Sequence, residues 1–164
     1  MIGLNEQPDI RIDSQGVWYF RGEEMKRLDI VQYFYRYLKR DGAGGYCIET
    51  EHERCAVTVE DVPYVINDVD LDFSQQIGKP RLVLTLSDGS REAMTLESPF
   101  WTGSDNVVYC RVKGGEFAAR FSRPAYYRLC SHIEYDPVSD SYLLTCDNGS
   151  YPLVLNNGEW RFQC

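Results

Sequence analysis

The stretch GGEFAARFSRPAYYRL, Gly114 to Leu129, carries three arginines and one glutamate in a chain whose formal net charge is -8. Whether it is a binding surface or an ordinary strand with its exit loop decides how the chain is read. Taking Gly114-Gly115 as a two-residue hairpin loop pairs Lys113 with Glu116, Val112 with Phe117, Arg111 with Ala118, Cys110 with Ala119 and Tyr109 with Arg120. Strand alternation then places Cys110, Val112, Phe117, Ala119 and Phe121 on a core face. Tyr109, Arg111, Lys113, Glu116 and Arg120 fall on the other. Half the basic cluster is therefore explained by alternation alone. Pro124 is read as the end of the ladder, with Arg123, Tyr126, Tyr127 and Arg128 following in a loop or a single turn.

The hairpin belongs to a larger internal similarity. LTLSDGS at 84–90 matches LTCDNGS at 144–150, Tyr46-Cys47 matches Tyr109-Cys110, and VTVEDVPYVI at 57–66 lies over ARFSRPAYYR at 119–128. The offsets of 60, 63 and 62 define a unit of about 60 residues present twice, which points to duplication rather than a solenoid. GVWYF at 16–20 and GEWRF at 158–162 place similar Trp-bearing strands near both ends. Asp88-Gly89, Asn148-Gly149 and Asn157-Gly158 supply hairpin turns between β-rich runs. One strong helix is predicted over 30–40. Asp29 caps it with Gln32 at N3, Leu28 and Tyr33 form a staple, and Val31, Phe34 and Leu38 make the apolar stripe. Lys39 and Arg40 close it before Gly42. Tyr33, Tyr35 and Tyr37 form a flank at the edge of the core.

A chain of 164 residues buries roughly 70% of its unfolded surface and needs no external staple. Its composition, 43% hydrophobic and 26% charged, is that of a folded domain rather than a disordered one. The start MIGLNEQPDIRID has no basic region followed by an apolar run, and no stretch is apolar enough to span a bilayer, so a cytoplasmic protein without membrane association is expected. The six cysteines, Cys47, Cys55, Cys110, Cys130, Cys146 and Cys164, are then read as thiols. None forms a CxxC pair, and His52 and His132 are the sole imidazoles, which argues against a zinc site. With 25 acidic against 17 basic residues, nucleic acid is not the expected partner.

Charge separates the two copies. Residues 46–73 hold eight acids and one base, Arg54, whereas 109–136 hold five bases and three acids. The contrast has two readings: solvated faces that complement in charge, or a cleft between lobes in which Arg120, Arg123 and Tyr126 meet an anionic group.

Other constellations carry less. NDVDLDF at 67–73 spaces Asp68, Asp70 and Asp72 like the start of a calcium loop, but Phe73 stands where glycine is needed and Lys79 where the final glutamate is needed. It reads as a strand with Val69, Leu71 and Phe73 inward and aspartates outward. GAGG at 42–45 follows a helix, lacks the context of a phosphate loop, and is a connector. No catalytic elbow, HExxH or Walker lysine is present, and no cofactor motif. His132, beside Ile133 in a strand-like run, reads as a packed or edge histidine and His52 as solvent-facing. Trp18 and Trp160 are core or edge aromatics, and Pro99 to Gly103, with Trp101, is read as a linker between the copies.

GVWYFRG (16–22), LDIVQYFYRYLKRDGAGGYCIET (28–50), RCAVTVEDVPYVI (54–66) and GGEFAARFSRPAYYRL (114–129) are long runs, and on them the chain resembles bacterial domain-of-unknown-function family 1285 over nearly its whole length. The resemblance implies a novel α+β fold of two repeated lobes, no established enzymatic activity, and a groove between lobes serving interaction or signalling. Carried over by residue, it points to Arg54, Glu60, Asp61, Pro63 and Tyr64 in the first lobe and Arg120, Arg123, Pro124, Tyr126 and Tyr127 in the second. Cys164 fits no family pattern.

The reading is thus an α+β protein with two lobes, 1–78 bearing the main helix and 79–164, built from a duplicated, mostly antiparallel β unit. The Trp160 strand is expected to return and pair near the first lobe. The expected role is a bacterial binding or interaction module in signalling or regulation, taking a protein partner or a small anionic ligand. Its groove is formed by Arg120, Arg123, Tyr126 and Tyr127 with Arg54, Asp61 and Tyr64. A hydrolase using paired carboxylates is the rival. It requires an acid and a base in different environments, which a solvated row of aspartates does not provide.

Overall fold

In the computed structural model, which describes residues 8–72, 79–146 and 149–163, the chain is mostly strand, with two α-helices among the described residues and two open mixed sheets. The fold is α+β. By compactness it divides into Met1–Pro63 and Tyr64–Cys164. The sequence reading puts the division between 78 and 79. The segment 64–72 groups with the C-terminal unit because it hydrogen-bonds strands of the second sheet.

The first unit holds β1 (Ile10–Ile12), β2 (Trp18–Phe20), β3 (Glu23–Glu24), α1 (Leu28–Tyr37), β4 (Leu38–Arg40), β5 (Tyr46–Glu49) and β6 (Arg54–Val59). Its sheet runs β3-β2-β1-β6-β5-β4. Two antiparallel meanders meet at a parallel pair, with Ile10 opposite Val57 and Ile12 opposite Val59. Ile10, Ile12 and Val57 are buried there. Trp18 anchors α1, its ring 4.9 Å from Tyr35 edge-on and 5.9 Å from Phe34. The Tyr35 hydroxyl donates to the Pro63 carbonyl at 3.1 Å, so this tyrosine is core rather than edge.

The helix differs from expectation at both ends. Arg27 occupies the N-cap without a side-chain bond, and Asp29 lies inside the first turn, ion-paired to Arg27. There it meets the positive end of the helix dipole. Leu28 and Tyr33 are exposed and form no staple. At the other end Leu38, Lys39 and Arg40 leave the helix and pair with Ile48, Cys47 and Tyr46, because strand pairing with β5 outweighs local helix propensity. The GAGG connector is the β4–β5 turn, held by Asp41 Oδ1, which accepts from the Ala43 and Gly45 N–H groups.

The second unit begins with β7 (Tyr64–Asp72), β8 (Arg81–Leu86) and β9 (Arg91–Thr95). β10 (Phe100–Thr102), a short 3-10 turn (Ser104–Asn106), β11 (Val108–Val112), β12 (Phe117–Phe121) and α2 (Arg123–Ser131) come next. The unit ends in β13 (Ile133–Asp136), β14 (Ser141–Cys146), β15 (Gly149–Asn156) and β16 (Glu159–Phe162). The sheet order is β13-β14-β15-β16-β10-β11-β12-β7-β8-β9. Within it, β7 and β12 are parallel, with Ala119 opposite Tyr64 and Phe121 opposite Ile66.

The β11–β12 hairpin has the register read from alternation, from Tyr109 opposite Arg120 to Val112 opposite Phe117. Cys110, Val112, Phe117, Ala119 and Phe121 are all buried. The Asp88-Gly89 and Asn157-Gly158 turns also form, with Gly89, Asn157 and Gly158 at positive φ. Asn148, Phe73 and Cys164 lie outside the described residues.

Three expectations change here. Pro124 does not open a loop; it sits in the first turn of a nine-residue helix capped by Ser122. Phe100 to Thr102 is no linker but a strand between β11 and β16. The Trp160 strand pairs with β10 and β15 of its own unit.

Ala119 has no exposed surface and lies between two paired strands. Ala119→Leu is expected to cost about 1–3 kcal/mol by overpacking, and Ala118→Leu, on the opposite face, less than about 1 kcal/mol. Urea midpoints of the two variants check the assignment of faces.

Candidate functional site

The site grows from the end of β12. Ser122 leaves the strand extended, and its hydroxyl accepts from the Ala125 N–H at 3.3 Å. Its carbonyl accepts from the Tyr126 N–H at 2.9 Å, and its own N–H donates to the Ile66 carbonyl of β7 at 3.0 Å. Proline close behind a cap is favourable, since the first helical turn has no use for its missing N–H. Ala125 and Leu129, four residues apart, are buried and seat the helix.

Between the later turns of α2 and the sheet lies a cavity of about 460 Å³. Tyr126, Leu129 and Cys130 contribute from α2 and Ile133 from β13. The sheet side is Phe100 and Thr102 of β10, Val108 of β11, Leu153 of β15, and Trp160 and Phe162 of β16. Asn106 enters from the 3-10 turn. Phe100 and Trp160 are cross-strand partners, and the Phe100 and Phe162 rings meet edge-on at 6.2 Å. None of these lining residues is charged.

Two titratable groups near the cavity, Tyr126 and His132, are displaced toward their neutral forms. A hydrogen bond between Tyr126 and Cys130 raises the tyrosine above the ordinary phenol range, and the Cys130 charge and burial add to this. His132 terminates α2, its N–H donating to the Leu129 carbonyl at 3.1 Å. Burial and then the Arg128 charge lower its pKa, so it is uncharged at neutral pH. It is a helix-end residue rather than a strand residue. The Cys110 thiol is pushed up to about 12 by burial, with Glu92 adding, which removes it as a nucleophile.

The sequence-predicted residues are spread over both units. Arg54 is exposed at the start of β6 opposite Glu49, and Asp61 is half-buried in the segment after β6. Tyr64 is buried, its ring 5.3 Å from Phe117, with Lys113 Nζ 5.5 Å above it. Arg120 lies half-buried on the outward face of β12. Arg123, Tyr126 and Tyr127 share one side of α2 at i, i+3 and i+4, with Arg123 exposed and the tyrosines 40% and 63% exposed. Of the predicted residues, Tyr126 lines the cavity. Thr102, Asn106, Cys130 and Trp160 were not singled out as site residues; the Ala125–Leu129 spacing was the available sign of a helix above the sheet.

The acidic row is neutralised within its own unit. Asp70 lies 3.0 Å from Arg91 and 3.4 Å from Arg128, Arg128 also approaches Asp68 at 4.0 Å, and Asp72 meets Arg81 at 3.7 Å. The carboxylates with a resolved pKa displacement, Asp29, Asp88 and Asp136, all move down rather than up. Among the described residues, no group of three or more His, Cys, Asp or Glu side chains could hold a metal ion. The five described cysteines are free, and no helix among the described residues is long and apolar enough to cross a membrane.

Comparison with known proteins adds a similarity to one family. Residues 4–62 match the model of the N-terminal domain of the domain of unknown function DUF1285. The match lies in the N-terminal part of the chain and covers less than half of its length. Its fold resembles the crystal structure of a DUF1285 family protein from Silicibacter pomeroyi, at 25% identity and a TM-score of 0.68, over 90% of this chain and 80% of that one. It also resembles a DUF1285 family protein from Shewanella baltica, at 22% identity and a TM-score of 0.61, over 77% and 94% respectively. No curated protein matches the chain.

Lys113 fixes the hairpin against the β8–β9 turn: its Nζ bonds Asp88 at 2.6 Å and Ser90 Oγ at 2.8 Å, and its N–H bonds Glu92 at 2.8 Å. Burial raises the Asp88 pKa, but hydrogen bonds from Lys113 and Ser90 outweigh it, leaving the carboxyl below its usual range. A depressed carboxylate stabilises the fold above its unfolded pKa and loses that contribution as pH falls through the folded one. Asp88→Asn is therefore expected to lose about 2 kcal/mol at neutral pH. The deficit should shrink below the ordinary aspartate range, as measured by urea unfolding from pH 7 to pH 3.

Proposed function

We propose that the chain is a small-molecule binding module, of use in sensing or regulation, whose ligand occupies the cavity beneath α2. The observation that carries this reading is the cavity itself. At about 460 Å³ it falls in the range of ligand pockets, and its lining is mostly apolar with a few convergent polar groups. The Asp105 and Asn106 backbones, at φ +62° and +58°, set Asn106 against it. Two successive non-glycine residues in the left-handed region carry a conformational cost that concentrates at functional positions.

Catalysis has less support. The aspartates of β7 meet arginines, and the thiol with the largest resolved shift is driven away from reactivity. The cavity takes the place of Arg123 as the proposed centre of recognition.

The reading includes a duplicated origin. The order β3-β2-β1-β6-β5-β4 has a counterpart in β9-β8-β7-β12-β11-β10, each with two antiparallel meanders joined by a parallel pair. Glu60 N–H bonds the Ile12 carbonyl at 3.0 Å in one, and Ser122 N–H bonds the Ile66 carbonyl at 3.0 Å in the other. Glu60 and Ser122 are separated by the same 62 positions as the sequence copies. On this reading β13 to β16 are an addition to the second copy, and they supply a wall of the cavity.

A fluorine-detected NMR screen of a small fragment library tests the site, using wild type, Cys130→Phe, Leu153→Trp and Arg123→Ala. Binding should be lost in both filling variants and kept in Arg123→Ala. Hits that survive filling, or that vanish with Arg123, would place recognition elsewhere.

A further inference from the structure

The lining of the cavity also constrains the charge of what it holds. We infer that its ligand is an uncharged molecule with a flat ring system and a hydrogen-bonding group at one end, an inference that rests on the cavity being the binding site. The ring system is suggested by the walls. Phe100 and Trp160 stand opposite each other on adjacent strands, with Phe162 edge-on to Phe100 and Tyr126 on the helix side. Aromatic rings at such positions favour stacked or edge-to-face contact with another ring.

The absence of charge rests on three observations. The lining offers no lysine, arginine, aspartate or glutamate, so an ion drawn against the rings meets no counter-charge there. Two of the three α2 residues that line the cavity, Leu129 and Cys130, lie in the last turn of the helix, where its dipole is negative and disfavours an anion. Two nearby titratable groups are displaced toward their neutral forms: Tyr126 is raised and His132 is lowered. Neither can supply compensating charge.

The polar end is set by Thr102 and Asn106. A side-chain amide offers two donors and an acceptor, and a hydroxyl offers both functions. Together they complement a primary amide, a lactam or a hydroxyl on the ligand. Both residues are solvent-exposed, so each hydrogen bond to a ligand is made in exchange for one to water and contributes on the order of 1 kcal/mol.

Three naphthalenes of nearly equal size test this: 2-naphthamide, 2-naphthoate and 2-naphthylmethylammonium, titrated at pH 7 by isothermal calorimetry. The amide should bind at least tenfold more tightly than either ion. Thr102→Val and Asn106→Gly should each weaken the amide roughly fivefold while leaving the thermal midpoint near that of wild type. Glycine accepts the positive φ of position 106, so a fold effect is avoided there. An ion binding as tightly as the amide, with binding abolished in Cys130→Phe, would overturn the neutral-ligand inference and leave the cavity as the site. If none of the three binds, the inference fails, and the fragment screen decides separately whether the cavity reading fails with it.

Discussion

Ser122 joins three elements at one residue. Its N–H reaches β7, its position ends β12, and its hydroxyl and carbonyl receive the first N–H groups of α2. A strand buried on one face can lead into a helix only if the chain turns without stranding backbone donors. Here the turn is made by a side-chain cap, and it fixes where the helix begins and which face it lays down. Ala125 and Leu129 are buried as a result, and Tyr126 and Cys130 come to the cavity edge.

The strand feeding that joint is among the most constrained segments of the chain. β12 pairs antiparallel with β11 and parallel with β7, and its alternate residues Phe117, Ala119 and Phe121 are buried. Alanine at the central position lets neighbours approach: Phe121 packs on Phe100 at 5.8 Å, and Phe117 on Tyr64 at 5.3 Å. The outward face obeys other rules. Trp101 stacks on Tyr109, and Arg111 lies 5.9 Å from the Trp101 ring centroid, a ladder of side chains that is half-buried or exposed. The arginines there and the aspartates of β7 that pair with Arg81, Arg91 and Arg128 account for much of the charge clustering in the second unit without a ligand. Such exposed pairs contribute little stability individually, so their role is mainly to keep charges of opposite sign adjacent.

How much of this was legible depended on range. The β11–β12 register was readable because two glycines fixed the turn and side chains alternated strictly on both sides. The Asp88-Gly89 and Asn157-Gly158 turns were readable for the same reason. Pro124 misled because proline was weighed as a ladder terminator, when serine two positions earlier with Ala125 and Leu129 beyond makes it a helix start. Leu38 to Arg40 misled in the opposite way, since helical periodicity continues through residues that pairing with β5 claims. The parallel pairs β1–β6 and β7–β12 join segments far apart in sequence, which periodicity cannot match. The cavity draws on β10, β11, α2, β13, β15 and β16, so no single motif announced it. The β10 wall in particular was hidden by reading Pro99 to Gly103 as a connector.

The cavity therefore depends on α2 being held by its cap to the strand that precedes it, since a helix free to lift would dissolve it. Amide hydrogen exchange of Ser122→Ala against wild type tests this most directly. Loss of a serine cap costs about 1 kcal/mol, which corresponds to roughly fivefold faster local opening. The amides of Tyr127 to Ser131 are expected to exchange about fivefold faster while those of β7 and β12 keep their protection. Unchanged protection across α2, or an equal rise throughout β7, β12 and α2, would contradict the cap's role.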